Sequence, residues 1–170
     1  MFGRPNLSRL LNKLYERAFM EKRRINVRAI VWRDGKILAV KHKDDDGSES
    51  EHWAVSGGGL DPLESLEDGV KREIMEELGL EIEVGKLLMV QQFNSKRDDF
   101  DEELEFLFQV EDSPMFDTID LEKTTHGMEE LARVAFVDPK EVFIKPTFLS
   151  ELDIDALIKA PITTHVSNDL

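Results

Sequence analysis

The stretch GGLDPLESLEDGVKREIMEELGL, Gly58–Leu80, decides the fold. It opens on the run Gly57-Gly58-Gly59, which breaks regular structure. A helix is expected from Leu66 to Leu78. Ser65 serves as its N-cap, with Asp68 three residues later in the capping-box position, and Gly79 is placed as its C-terminal stop. Leu66, Val70, Ile74 and Leu78 make an apolar stripe along this helix. Glu73, Glu76 and Glu77 fall beside it within an arc of roughly 100°. The carboxylates therefore stand where a buried face meets a cleft. Clustered carboxylates repel, and one is pushed toward protonation unless a cation neutralises them. Magnesium meets that need, because it prefers hard oxygen ligands, keeps several waters and bridges carboxylates to phosphates. The glycines let backbone groups approach a ligand closely, just ahead of a helix N-terminus that favours anions.

Outward from this stretch the chain alternates strand and turn. Ile25–Trp32 and Lys36–Lys43 flank Asp34-Gly35, a strong hairpin signal. The acidic loop 44–51 is expected to be exposed, and it lacks the spacing of a calcium-binding EF-hand. Trp53–Val55 reads as a short strand. Glu81–Phe93 and Leu104–Val110 follow as strands, the second with Leu104, Phe106, Phe108 and Val110 on one apolar face. Ala132–Val137 is a further strand, Pro139–Val142 a turn, and Phe148–Ile158 a last helix. Near the start, Leu7, Leu10, Leu11 and Leu14 follow helical spacing among Arg9, Lys13 and Arg17, so residues 7–20 read as an amphipathic helix packed on the domain. The expected organisation is a helical arm over residues 1–24, one α/β domain over 25–160 and a loosely held tail over 161–170.

Composition narrows the classes. Hydrophobic residues make up 41% and charged residues 34% of 170, enough for a core and against wholesale disorder. There is no cysteine, which excludes disulfides, thiolate zinc sites and cysteine nucleophiles. The four histidines show no i, i+4 pair of the zinc-helix type. No apolar run is long enough to span a bilayer, and none resembles a secretory signal, so a soluble, cytoplasmic protein is expected. The net charge of −14 is unevenly spread. Residues 1–43 hold twelve Lys/Arg against three acids, and the remainder holds ten against thirty-three. The acidic remainder speaks against tight binding to duplex DNA.

The full spacing is more informative than any single glutamate pair. Gly58, Glu64, Arg72, Glu73, Glu76, Glu77 and Gly79 stand at fixed separations, with apolar Ile74 and Leu80. Seven residues at about 7% usage each coincide on the order of once in 10⁸ placements. The stretch resembles the Nudix box, G-x5-E-x7-R-E-U-x-E-E-x-G-U with U apolar, and matches every fixed position. The resemblance implies a Nudix-type α/β/α sandwich with a mixed central sheet. It implies hydrolysis of the diphosphate bond in a nucleoside diphosphate linked to another moiety: a nucleoside triphosphate, ADP-ribose, a nucleotide sugar or a dinucleotide. In such a family Glu73, Glu76 and Glu77 bind magnesium, or manganese, Glu64 joins them, and a backbone carbonyl near Gly57 is a further ligand. Glu73 is also discussed as a general base, and Arg72 orients it. A further carboxylate often comes from outside the box; Glu103, Glu105, Glu129 and Glu130 are the candidates, and Glu130 is favoured. Gly58, Gly59, Lys41 and Phe93 are candidates for contact with the substrate. Members are often homodimers. A nucleotide-sensing module without catalysis and an RNA 5′-end pyrophosphohydrolase are the alternatives. Two positions depart from the family pattern: Ser56 stands where proline is common, and Leu63 where glycine is.

Overall fold

The structure is a computed structural model that describes residues 22–161 and the strand at 165–169. The amphipathic segment 7–20 lies outside the described residues. Asp34 and Gly35 both take positive φ, 47° and 81°, the geometry of a type I′ hairpin turn. They join β1 (Arg23–Arg33) to β2 (Lys36–His42). The hairpin pairs only at Trp32–Ile37 and Arg33–Lys36, and then the two strands part. β1 runs parallel to β5 (Glu102–Val110) over nine residue pairs. β2 instead pairs antiparallel with β3 (Trp53–Ala54) and β6 (Leu131–Val137). β4 (Val84–Asn94) lies antiparallel to β5, and β7 (Ile144–Lys145) parallel to β3. With β8 (His165–Asp169) beside β4, the sheet is mixed, in the order β7-β3-β2-β1-β5-β4-β8, with β6 on β2.

The edge of β1 that β2 vacates is filled by the glycine loop. Val27 N–H donates to the Gly58 carbonyl, Ala29 N–H to that of Ser56, and Leu60 N–H to that of Ile25, each at 2.9 Å. Backbone groups left open in the middle of a sheet would otherwise go unpaired. This substitution of a loop for a strand brings Gly57–Gly59 into the centre of the molecule.

The helix α1 (Leu66–Leu78) has the expected ends. Ser65 accepts from Asp68 N–H at 3.1 Å, and Gly79 turns left-handed at φ 70°. Its stripe of Val70, Ile74 and Leu78 packs on Val27, Ala29, Val31, Phe108 and Val110, which share one face of the sheet. Gly69 lies where α1 comes closest: a Cβ there would stand 2.7 Å from the Leu60 side chain. On the opposite face Ile30, Leu107 and Met89 pack under Leu149 and Ile154. Helices on both faces of a mixed sheet make the α/β/α sandwich.

Three expectations are corrected. The last helix is divided into a 3-10 turn at Thr147–Ser150 and α3 (Ile154–Lys159), because Asp153 caps a new start by accepting from Ala156 N–H at 2.9 Å. The segment before β6, for which no element was expected, carries 3-10 turns at Pro114–Thr118 and Leu121–Lys123 and the single turn α2 at Gly127–Glu130. The end of the chain is not wholly loose, since β8 (His165–Asp169) pairs parallel with β4 from Met89 to Phe93.

Leu63 explains one departure from the family pattern. It adopts φ 69° and is fully exposed. A left-handed conformation costs a non-glycine residue about 1 kcal/mol, which is the reason glycine suits this position.

Candidate active site

Arg72 organises the acidic helix. Its guanidinium meets both Glu64 oxygens, at 2.9 and 3.0 Å, Glu73 at 2.8 Å and Glu76 at 3.2 Å. It also donates to the Gly59 carbonyl at 2.9 Å, tying the helix to the glycine loop. Such forked, charge-assisted contacts fix orientation as well as charge. The Glu64 pKa is lowered by its hydrogen bonds from Arg72.

Glu77 lies deeper, at 4% exposure. One of its oxygens accepts from the Ser56 hydroxyl and from the Gly57 N–H, the latter at 3.1 Å. Burial pushes its pKa up to about 7, although the Ser56 hydrogen bond and Arg28 oppose the rise. Burial likewise raises the pKa of Glu73, against the pull of Arg72. The second departure from the family pattern thus has a use: where proline would offer no donor, Ser56 supplies one to a buried carboxylate.

Contact with backbone requires the glycine at 57, while at 58 and 59 a side chain would displace the ends of Glu73 and Arg24. Gly57 has φ 133°, and a Cβ there would overlap the Val27 carbonyl and stand 2.9 Å from Arg28 Cα. At Gly58 a Cβ would sit 2.5 Å from a Glu73 oxygen, and at Gly59 it would be 2.9 Å from the Arg24 guanidinium carbon. Glu73 therefore lies directly over Gly58, while Glu77 grips the amide of Gly57.

Among the described residues no three acidic or histidine side chains converge as a ready metal cage. Glu73 and Glu76 are turned onto Arg72, and Glu77 onto the loop. The donor set still fits a hard divalent cation: carboxylate oxygens around a glycine loop, two of them with pKa values raised by burial, as expected where positive charge is in deficit. The Gly57 carbonyl accepts from Arg28, so a guanidinium already supplies positive charge beside it.

On the other face of the sheet a cleft of about 710 Å³ opens beside Arg28. Its floor has a simple origin. β1, β4 and β5 each change from apolar to polar on this face: Ile30 to Arg28, Met89 to Gln91, Leu107 to Glu105 and Glu103; Phe93 stays apolar at the far end of β4. Glu105 pairs with Arg28 at 2.9 Å, and Glu103 accepts from Asn26 at 2.6 Å and Ser95 at 2.7 Å. The chain Glu105–Arg28–Gly57 carbonyl joins the cleft to the glycine loop.

The remaining candidates fall in different places. Phe93 lines the cleft, with Asn94 beside it. Lys41 pairs with Glu49 at 2.9 Å and lies 5.5 Å from the Trp53 ring centre, so its charge is engaged by the acidic loop. Glu129 and Glu130 are exposed on α2, whereas Glu103 and Glu105 are buried against the cleft. Asn26 and Arg28 do not stand out in the sequence, and Ser56 does so only as a departure from the family pattern, not as a partner of Glu77. A signal was available for Arg28: an arginine inside the β-branched run of β1 faces a partner strand that also carries acids at alternate positions.

The NUDIX domain model matches residues 22–157, and the chain belongs to that family. It is 45% identical over 58 residues to the nucleoside triphosphatase NudI of Escherichia fergusonii, a stretch covering 34% of this chain and 41% of that protein. The match thus spans about two-fifths of the curated relative. The fold resembles the MutT protein of Methanosarcina mazei (TM-score 0.62, 19% identity, 84% of this chain and 99% of the other). It also resembles an ADP-ribose pyrophosphatase of Streptococcus suis (TM-score 0.58, 19% identity, 84% and 98%). No helix among the described residues is long and apolar enough to cross a membrane.

Proposed function

We propose that the chain hydrolyses the diphosphate bond of a nucleoside diphosphate linked to another moiety, with magnesium as its cofactor. The reading is carried by the joint between Arg72, its three glutamates and the glycine loop, behind which Glu77 is buried. Glu73, Glu76 and Glu77, with Glu64 and the Gly57 carbonyl, would hold the ion. When bound, magnesium supplies charge compensation for the phosphoryl oxygens and makes an attacking water more acidic. Arg72 keeps Glu64, Glu73 and Glu76 aligned. Ser56 and the Gly57 amide keep Glu77 turned toward the loop. Glu73, over Gly58, is the carboxylate assigned to receive the proton of the attacking water. The backbone of Gly58 and Gly59 comes close enough to meet a phosphate, since neither residue has a side chain to hold it away. For the acid from outside the box, burial favours Glu103 or Glu105 over Glu130.

A screen of nucleoside diphosphate derivatives with magnesium, read by mass for nucleoside monophosphate, tests the proposal. At least one compound is expected to be cleaved, and chelation of the metal should stop the reaction. Cleavage of none would favour a sensing module, and cleavage of an RNA 5′ end alone would replace the substrate class.

A further inference from the structure

The cleft carries positive charge that the protein does not use. Lys96, Arg97 and Lys145 are exposed and line it. Among the described residues Lys96 makes no ion pair, and Lys145 lies over the Phe143 ring, 5.7 Å from its centre, rather than beside an acid. Arg97 reaches Glu103 only at 4.0 Å. This is unusual ground for a chain of net charge −14. Elsewhere Arg33 meets Asp112 at 2.6 Å and Asp117 at 2.5 Å, and Arg133 meets Glu49 at 3.0 Å.

Among the described residues the acids of the cleft leave the two lysines unpaired and meet Arg97 only through that long contact to Glu103. Glu105 is held by Arg28, and Glu103 by Asn26 and Ser95. His42 and His52 also line the cleft, and burial lowers the pKa of both, so the positive field comes from the two lysines and the arginine. Three cations around a floor of about 710 Å³, with Arg28 leading to the glycine loop, form a receptor for an anionic group some way from the acidic helix.

We propose that this cleft selects substrates whose group beyond the diphosphate bond is itself anionic, bearing a phosphate or a carboxylate, over those carrying a neutral sugar. The inference rests on the hydrolase reading for its substrate frame, but its binding component is measurable apart from turnover. The test uses two matched pairs: ADP-ribose against ADP-ribose 1″-phosphate, and UDP-glucose against UDP-glucuronate. Affinity is measured by calorimetry without divalent metal, and kcat and KM are measured with magnesium, at one ionic strength. The anionic member of at least one pair is expected to bind about tenfold more tightly, the worth of one charge-assisted contact. Preference within the first pair only would assign a phosphate, and within the second pair only a carboxylate. The double variant Lys96→Ala/Lys145→Ala should lose that preference. Equal or weaker binding of both anionic members, binding of none of the four compounds, or a preference that survives in the double variant would overturn the proposal. Preference in binding with no turnover of any compound would sustain it and overturn the hydrolase reading. Turnover without preference would do the reverse.

Discussion

Glu77→Gln is expected to lower magnesium-dependent turnover by on the order of 10³-fold or more, because a metal ligand contributes several kcal/mol of charge stabilisation. The fold should survive, since glutamine has the same shape and its amide oxygen can still accept from Ser56 and the Gly57 N–H. Stability gives an independent readout in metal-free buffer. The folded pKa of Glu77 is pushed up to about 7 from the ordinary 4.5 of a glutamate. A carboxyl group whose pKa is raised on folding contributes stability below its unfolded pKa and loses that contribution as pH rises through the folded value. The wild-type chain should therefore lose stability between about pH 4.5 and 7, by on the order of 3 kcal/mol. The glutamine variant should lack this component of the pH profile. Unchanged turnover would remove Glu77 from the reaction, and an unchanged pH profile would remove it from a desolvated site.

Gly57→Ala is expected to be strongly destabilising for the addition of a single methyl. At φ 133° an L side chain is strained, and the added Cβ meets backbone, not a flexible side chain that could move aside. Strain and overlap together should cost about 4 kcal/mol, lowering Tm by roughly 8–16 °C. Gly35→Ala is the control. Its φ is also positive, at 81°, but nothing lies within 4 Å of the added atom, so it should cost only about 1 kcal/mol. Equal effects at the two positions in thermal melts would mean that the glycine loop is not pressed against β1.

The parts of the fold that were legible in the sequence are those decided locally. Ser65, Asp68 and Gly79 announced both ends of α1, and Asp34-Gly35 announced the hairpin turn, because caps and turns are made by neighbours in the chain. Alternation along β5 gave its apolar face. What was not legible depends on distant pairing. β7 has only two residues and exists because β3 lies beside it. β8 is defined by the edge of β4, and nothing in its own sequence marks that edge. The break in the last helix turns on Asp153, a capping residue inside a run of otherwise helical spacing.

The site divides in the same way. The box glutamates could be named because their spacing is fixed along one helix. Their orientation could not, because Arg72 draws Glu73 and Glu76 to itself while the Ser56–Gly57 corner takes Glu77. Among the acids outside the box, burial separates Glu103 and Glu105, which share a face of β5 with Leu107, from Glu129 and Glu130, which are exposed on α2; that difference depends on the strands beside β5. That the second face would be polar at one end required knowing that β1, β4 and β5 lie side by side.

The acidic helix and the glycine loop together are expected to take up a divalent ion when a diphosphate is present. The most direct measurement is manganese binding, followed by electron paramagnetic resonance, with and without a nucleoside diphosphate, on the wild-type chain and on Glu73→Gln/Glu77→Gln. The account predicts ion uptake by the wild-type chain that tightens with the nucleotide and competes with magnesium, and its loss in the double variant. Uptake by neither protein, or equal uptake by both, would contradict it.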